Sequence, residues 1–153
     1  MNFLKKTGSS IAILLMLSVI LLGACSEEET PKETNAPDEL LANIMNFELS
    51  TRTLTLDEVE WIEAGDTERI KEIGLDVEKD LPTGFTIYNE SNEETSIKLA
   101  EDAELLLVNP DNTLEPRAVD EKEFISYVVN VRGPYYITVE DDVVVKVEEK
   151  YMP

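Results

Sequence analysis

Met45-Asn46-Phe47-Glu48-Leu49-Ser50-Thr51-Arg52-Thr53-Leu54-Thr55-Leu56 alternates apolar and polar residues on both sides of the polar break Ser50-Thr51-Arg52. Successive side chains of a strand point to opposite faces, so this pattern predicts a β-hairpin with one face in a core. The second strand is expected to continue through Val59, Trp61 and Ile62. Its apolar parity changes between Leu56 and Val59, which a bulge near Asp57-Glu58 would absorb. Trp61, the single tryptophan of the chain, is expected in the core rather than as a ligand platform, because its neighbours are β-branched and apolar.

Downstream, Asp66 to Ile73 (DTERIKEI) reads as a short helix with Asp66 as N-cap, Ile70 and Ile73 on one face, and Gly74 as the stop. Two helical turns are marginal alone, so this helix must dock on the sheet. Leu75 to Gly84 reads as a loop. Phe85 to Tyr88 and Thr95 to Leu99 read as strands flanking a polar turn, and Ala103 to Val108 as a further buried strand closed by Asn109-Pro110-Asp111-Asn112. Asp120 is the expected cap of a second helix from Glu121 to about Asn130, with Phe124, Ile125 and Val128 on one side. A last hairpin pairs Tyr135 to Glu140 with Val143 to Lys150 around Asp141-Asp142, with Val143, Val145 and Val147 on one face.

These elements predict an α+β fold: a small curled antiparallel sheet or partly open barrel with two short helices. A barrel of the oligonucleotide/oligosaccharide-binding or SH3-like kind is the first expectation, and an open sheet with helices on one face the second.

The N-terminus sets the address. Lys5 and Lys6 precede Ile11 to Leu22, an apolar run broken only by Ser18. That run is shorter than the ~20 residues a membrane-spanning helix needs, so it reads as the h-region of a secretory signal. Leu22-Gly23-Ala24-Cys25 follows, and it resembles the bacterial lipobox of an aliphatic residue, two small residues and a cysteine. The resemblance implies diacylglycerol on the Cys25 thiol, cleavage before it and N-acylation (palmitate or similar) of the freed amine. Two or more acyl chains anchor stably where one does not. Cys25 is the only cysteine, so the domain folds without an internal disulfide. Ser26 to Asp38 has three consecutive glutamates, two prolines and no large apolar residue, the composition of a disordered linker. The expected organisation is therefore a signal peptide over 1–24, a lipidated cysteine and acidic linker over 25–38, and one extracytoplasmic domain over 39–153.

Charge excludes some partners. The chain has 33 acidic and 13 basic residues, a net charge of −20, and cleavage before Cys25 removes Lys5 and Lys6 and no carboxylate, giving −22. Such a field repels nucleic acid and anionic headgroups. Histidine is absent, which removes the usual ligands of zinc, copper and haem, while oxygen-bound calcium stays open. Asp76, Glu78 and Asp80 alternate like the first positions of an EF-hand loop, but no glycine stands at the sixth.

The blocks LDEVEWI (56–62), DTERIKEIGL (66–75), LPTGFTIYN (81–89) and YYITVEDDVVVKVEEKYMP (135–153) resemble a family of small uncharacterised secreted proteins and lipoproteins from spore-forming Gram-positive bacteria. The resemblance implies the outer face of a plasma membrane under a cell wall, and it carries over no catalytic residue. Asp141-Asp142 departs from the glycine its members have in the last turn.

The expected function is a non-catalytic binding or accessory module, held to the membrane by lipid and meeting an envelope protein or wall component, with no cofactor beyond the covalent lipid. One alternative is an enzyme that uses a carboxylate pair on cell-wall glycan. The other is a calcium-responsive module built on Asp76, Glu78 and Asp80. Ser96 and Ser126 have no histidine to activate them. Tyr88, Tyr127, Tyr135 and Tyr136 could line a sugar platform, although tyrosines in strands are more often structural.

Overall fold

The computed structural model describes residues 37–153. Leu22, Gly23, Ala24 and Cys25 lie outside the described residues, as does most of the expected linker. Eight strands and three short helices follow in the order β1 (Asp38–Glu48), β2 (Thr53–Glu58), β3 (Glu60–Glu63), α1 (Thr67–Ile73), α2 (Val77–Asp80), β4 (Phe85–Tyr88), β5 (Glu94–Leu107), β6 (Arg117–Ala118), α3 (Glu121–Val128), β7 (Tyr135–Glu140) and β8 (Val143–Glu149). The domain is mostly β, with three helices where the sequence predicts two. The extra one, α2, is a single turn inside the stretch read as a loop.

Five strands close into a barrel. β2 pairs with β1, β1 with β7, β7 with β8 and β8 with β5, and β5 returns to β2 through the register from Thr53↔Lys98 to Asp57↔Glu94. The ring is therefore closed rather than partly open. All of its pairs are antiparallel except β5–β8, which run parallel. A parallel pair needs a long crossover, here β6, α3 and β7, and local alternation carries no signal for it.

The predicted hairpin is β1–β2, but its first strand begins at Asp38, seven residues earlier than the strand read from Met45. The break in register lies between Ile44 and Asn46 rather than at Asp57-Glu58. At Asp57-Glu58 the chain instead leaves the barrel to form β3, which pairs only with β4 in a separate two-stranded sheet. The two strands read over 95–99 and 103–108 are one long strand, β5, whose register against β8 jumps between Leu99 and Glu104. Arg52, at φ 53, meets the polar groups freed there by donating to the carbonyls of Ala100 (2.8 Å) and Leu99 (3.4 Å). It also pairs with Glu121 at the start of α3.

The barrel is filled by Ala42, Ile44, Leu54, Leu56, Leu99, Leu105, Leu107, Tyr135, Ile137, Val144 and Val147, and Phe124 and Val128 of α3 plug it. The Phe124 and Tyr135 rings meet edge to face at 6.3 Å. Val144 and Val147, not the predicted trio of Val143, Val145 and Val147, are fully buried, because the β7–β8 register shifts after Thr138. Gly133 holds φ +130 where an added Cβ would stand 2.9 Å from the Tyr135 ring, so the entry to β7 admits no side chain.

A second, smaller core of Ile62, Ile70 and Leu81 belongs to the β3–α1–α2–β4 unit alone. Inserted between the second and third barrel strands, this unit positions the candidate site.

Candidate functional site

The β3–β4 sheet has two unlike faces, set by alternation. Glu60, Ile62, Thr86 and Tyr88 share one face by register, and Trp61, Glu63, Phe85 and Ile87 share the other. On the first face Ile62 packs with Ile70 of α1, and Arg69 of α1 clamps three carboxylates. Its Nη2 lies 2.8 Å from Glu60 and 3.5 Å from Glu90, and its Nη1 3.0 Å from Glu72. The hydrogen bonds that the Arg69 guanidinium donates to Glu60 and Glu72 push it still further up from its ordinary value. Its Cζ also stands 5.9 Å from the Tyr88 ring. Beside this clamp lies a concavity of about 430 Å³ lined by Glu58, Val59, Glu60, Tyr88, Glu90 and Ser91.

The second face is aromatic. Phe85 stacks on Trp61 with centroids 4.1 Å apart and planes 15° from parallel, the geometry of a diagonal cross-strand pair. Trp61 is half-buried rather than in the core, as the chain's departure from the barrel at Glu58 carries it to the surface. Its indole N–H donates to Glu63 Oε1 at 3.1 Å, which fixes the ring's rotation. The Lys150 ammonium stands 4.1 Å from the Trp61 centroid. A stacked ring and an ammonium at the same separation cannot share a face, so Phe85 and Lys150 cover opposite sides of the indole. The same Nζ lies 5.1 Å from the Tyr136 centroid and donates to the Tyr136 hydroxyl at 2.8 Å. Tyr136 points outward from β7 because its neighbours Tyr135 and Ile137 point into the barrel. The backbone N–H of Lys150 donates to the Pro134 carbonyl at 3.0 Å, which places its side chain across this face.

A second assembly closes the opposite side of β8. Glu149 accepts from the Tyr127 hydroxyl (2.7 Å) and from the Val108 N–H (2.8 Å). Burial, with help from Glu149, pushes the Tyr127 hydroxyl up to about 12. Burial also raises Tyr135, whose hydroxyl donates to the Val131 carbonyl at 2.6 Å. Arg117, on the rim with Val108, Pro110, Tyr151 and Met152 of a 350 Å³ concavity, pairs with Glu123 at 2.7 Å.

Asp76, Glu78 and Asp80 do not converge. Asp76 caps α2 by accepting from the Lys79 N–H at 3.0 Å, and Asp80 accepts from the Asp76 N–H at 2.8 Å, so two of the three carboxylates serve their own backbone. Glu78 is exposed in the first turn. Among the described residues no three carboxylates are grouped to hold a metal. Asp66 stands at the N-cap position of α1 but its carboxylate accepts from the Glu63 N–H instead. Asp120 caps α3 as expected, through the Glu123 N–H. Of the four tyrosines, Tyr135 is wholly interior, while Tyr88, Tyr127 and Tyr136 are half-buried on three separate assemblies and do not make one platform.

Two residues here escaped sequence reasoning. Lys150 read as the end of a strand, and Asp57 as part of a bulge. Asp57 is buried on the barrel's outer side, where its Oδ2 accepts from Asn89 at 3.0 Å and its Oδ1 has no partner. Its burial could not be foreseen, since the chain that covers it arrives more than thirty residues later. Among the described residues no helix is long and apolar enough to cross a membrane. No protein-family model, curated protein or solved structure matches the chain.

Proposed function

We propose that this protein is a lipid-anchored, extracytoplasmic binding module, tethered through Cys25 to the outer face of the plasma membrane. We further infer that its barrel is of the oligonucleotide/oligosaccharide-binding kind. Five strands in Greek-key order, with a helix between the third and fourth, support that architecture, which serves as a ligand scaffold in many settings.

Nucleic acid is the wrong ligand. The outward row on the second and third barrel strands pairs Thr53 with Lys98, Thr55 with Ser96 and Asp57 with Glu94. Single-strand binding calls for a basic groove with stacking aromatics there, and this row has no aromatic and two opposed carboxylates. The observation that carries the binding reading is the outer face of β3–β4, where Trp61 is held at the surface by Phe85 behind it and Glu63 at its edge. A half-buried tryptophan kept in one orientation, with only the Lys150 side chain over its outer face, is the kind of side chain that dominates binding energy at interfaces. The partner is an envelope protein or wall component.

The test is crosslinking in intact cells from a photoreactive residue at Ile87, which lies on the same face and is 36% exposed. A discrete adduct that Trp61→Ala abolishes is expected. No adduct above that from a residue on α2, with Cys25-dependent membrane retention intact, would remove the reading.

A further inference from the structure

The β3–β4 sheet ends on an open edge. The Ala64 N–H donates to the Gly84 carbonyl at 2.9 Å, in the same register as Ile62↔Thr86 and Glu60↔Tyr88. Antiparallel pairs alternate between bonded and unbonded, so Glu60, Ile62, Thr86 and Tyr88 bond across the ladder, while the backbone groups of Trp61, Glu63, Phe85 and Ile87 point outward. On the β3 side the Glu63 N–H donates to Asp66 Oδ2 at 2.8 Å and the Glu63 carbonyl accepts from the Asp66 N–H at 2.9 Å, which caps that edge. On the β4 side the N–H and C=O groups of Phe85 and Ile87 meet no partner, and among the described residues β3 is the sole strand neighbour of β4. Soluble proteins usually blunt such an edge with proline, lysine or a bulge. Phe85-Thr86-Ile87-Tyr88 has none of these: its ladder runs without a register break, and all four residues favour extended backbone.

We propose that β4 accepts, as a third strand, an extended basic segment of a partner protein in which apolar residues alternate with lysine or arginine. The proposal rests on the reading of β3–β4 as a binding surface, and it names how that surface is bound and by what chemistry. The two faces of the sheet dictate the alternation. Side chains of an added strand that lie beside Phe85 and Ile87 join the Trp61 face and gain apolar contact. Those beside Thr86 and Tyr88 join the face where Glu60, Glu72 and Glu90 share one guanidinium, that of Arg69, and where Glu90 stays 74% exposed. Glu58 adds to this charge across the adjoining concavity. Lysine or arginine at those positions meets the carboxylate charge that Arg69 leaves uncompensated.

Two other occupants fit worse. The segment SEEETPKETNAP (26–37) of this chain has four glutamates against one lysine, and Pro31 and Pro37 lack the N–H that a ladder needs. A second copy brings the same acidic face against itself, with a net charge of −20 on each chain.

The probe is a capped synthetic hexapeptide of alternating lysine and valine, titrated into the isotope-labelled full-length protein in a maltoside detergent and followed by nuclear magnetic resonance. Strand addition has a signature that side-chain contact lacks. At saturation the outward amides of Phe85 and Ile87 should exchange with water at least about tenfold more slowly, while those of Thr86 and Tyr88, already bonded to β3, change little. The glutamate–valine counterpart, and a lysine–valine peptide with proline at its centre, should leave all four as they were. Ile87→Pro removes an outward donor without touching a bond to β3 and should abolish the response. Glu90→Lys, at an exposed position, should raise the peptide concentration required by about threefold or more whether or not the proline variant folds. The proposal is overturned if millimolar lysine–valine peptide slows neither outward amide or slows all four alike, if the glutamate–valine peptide acts equally well, or if the response survives Ile87→Pro. Slowing of Phe85 and Ile87 that grows with protein concentration alone assigns the edge to a second copy and overturns it too. An Ile87 crosslink retained without this exchange pattern removes strand addition alone, while loss of the crosslink removes the binding face itself.

Discussion

Replacing Ile62 by alanine tests whether the inserted unit that presents Trp61 is energetically separate from the barrel. Ile62 is 1% exposed and shares its core only with Ile70 and Leu81, at 5% and 3%. At about 1.5 to 3 kcal/mol for each buried aliphatic side chain, this small core contributes roughly 5 to 9 kcal/mol before the entropy of ordering is subtracted. Truncating one of three such residues costs about 2 to 5 kcal/mol, a large part of the unit's margin. The barrel core shares no buried residue with this cluster, so the cost should fall on residues 60–88 and leave the barrel's global stability nearly unchanged. Native-state hydrogen exchange resolves the two. The amides of Trp61, Ile62, Thr86 and Ile87 should lose about 2 kcal/mol or more of protection, while those of Ile137 and Val147 change by less than about 0.5 kcal/mol. Equal loss in both sets would show one cooperative core and refute the division.

Two other perturbations follow from the hydrogen-bonded tyrosine and the last turn. Burial and Glu149 raise Tyr127 to about 12 from an ordinary value near 10, so the folded state holds the phenol proton more tightly than the unfolded chain. That contribution is whole below pH ~10 and is lost as pH rises toward ~12. Because the hydroxyl is partly solvated, screening reduces it to about 1 kcal/mol or less. Urea midpoints should fall over that window, less steeply in Tyr127→Phe, and superimposable profiles would contradict the assignment. Asp142 sits at φ 63 beside Asp141 at φ 50, the two-residue left-handed turn that favours Asn-Gly or Asp-Gly. Asp142→Gly should stabilise by up to about 1 kcal/mol, raising Tm by several degrees in a calorimetric scan. A lowered Tm would mean that the Asp142 side chain contributes more than its backbone costs.

Much of the fold is legible where the signal is local. Alternation from Met45 to Leu56 marks the first hairpin, Asp120 and Phe124 mark the plugging helix, and Asp141-Asp142 marks the last turn. Leu40, Ala42 and Ile44 alternate just as plainly inside the expected domain, but the hairpin read from Met45 leaves them unassigned, and the acidic, proline-rich linker composition extends over Asp38, the first residue of β1. What the sequence does not carry is neighbour choice. Ring closure by β2 and β5 joins Leu54 to Ile97, and the parallel β5–β8 pair joins Leu99 to Val144. Trp61 misled because an apolar residue in an extended run reads the same whether the strand stays in a barrel or leaves it. Its partners Phe85, Tyr136 and Lys150 come from three distant segments, each locally ordinary. The carboxylates of Asp76 and Asp80 look like a ligand set in sequence, yet at the start of a helical turn they are more useful to unpaired backbone N–H groups than to an ion.

The charge pattern joins these pieces. Arg52, Arg69, Arg117 and Lys146 are each bonded to a carboxylate, and Lys150 is turned onto the Trp61 face and the Tyr136 hydroxyl. Lys71, Lys79, Lys98, Lys122 and Arg132 stay exposed, but the acidic residues outnumber them and the domain's outer field is net negative. Such a field gathers any cation without distinguishing one from another, because a carboxylate in water holds sodium, lysine and methylated amines with similar weak force. Selection has to come from a contact that rewards something other than charge. An aromatic face does so: it favours soft, poorly hydrated ammonium groups over small, strongly hydrated ions. On a surface this acidic, the Trp61 face is a contact able to add choice to general attraction, and the Lys150 side chain that lies over it is the group any ligand of that face must displace.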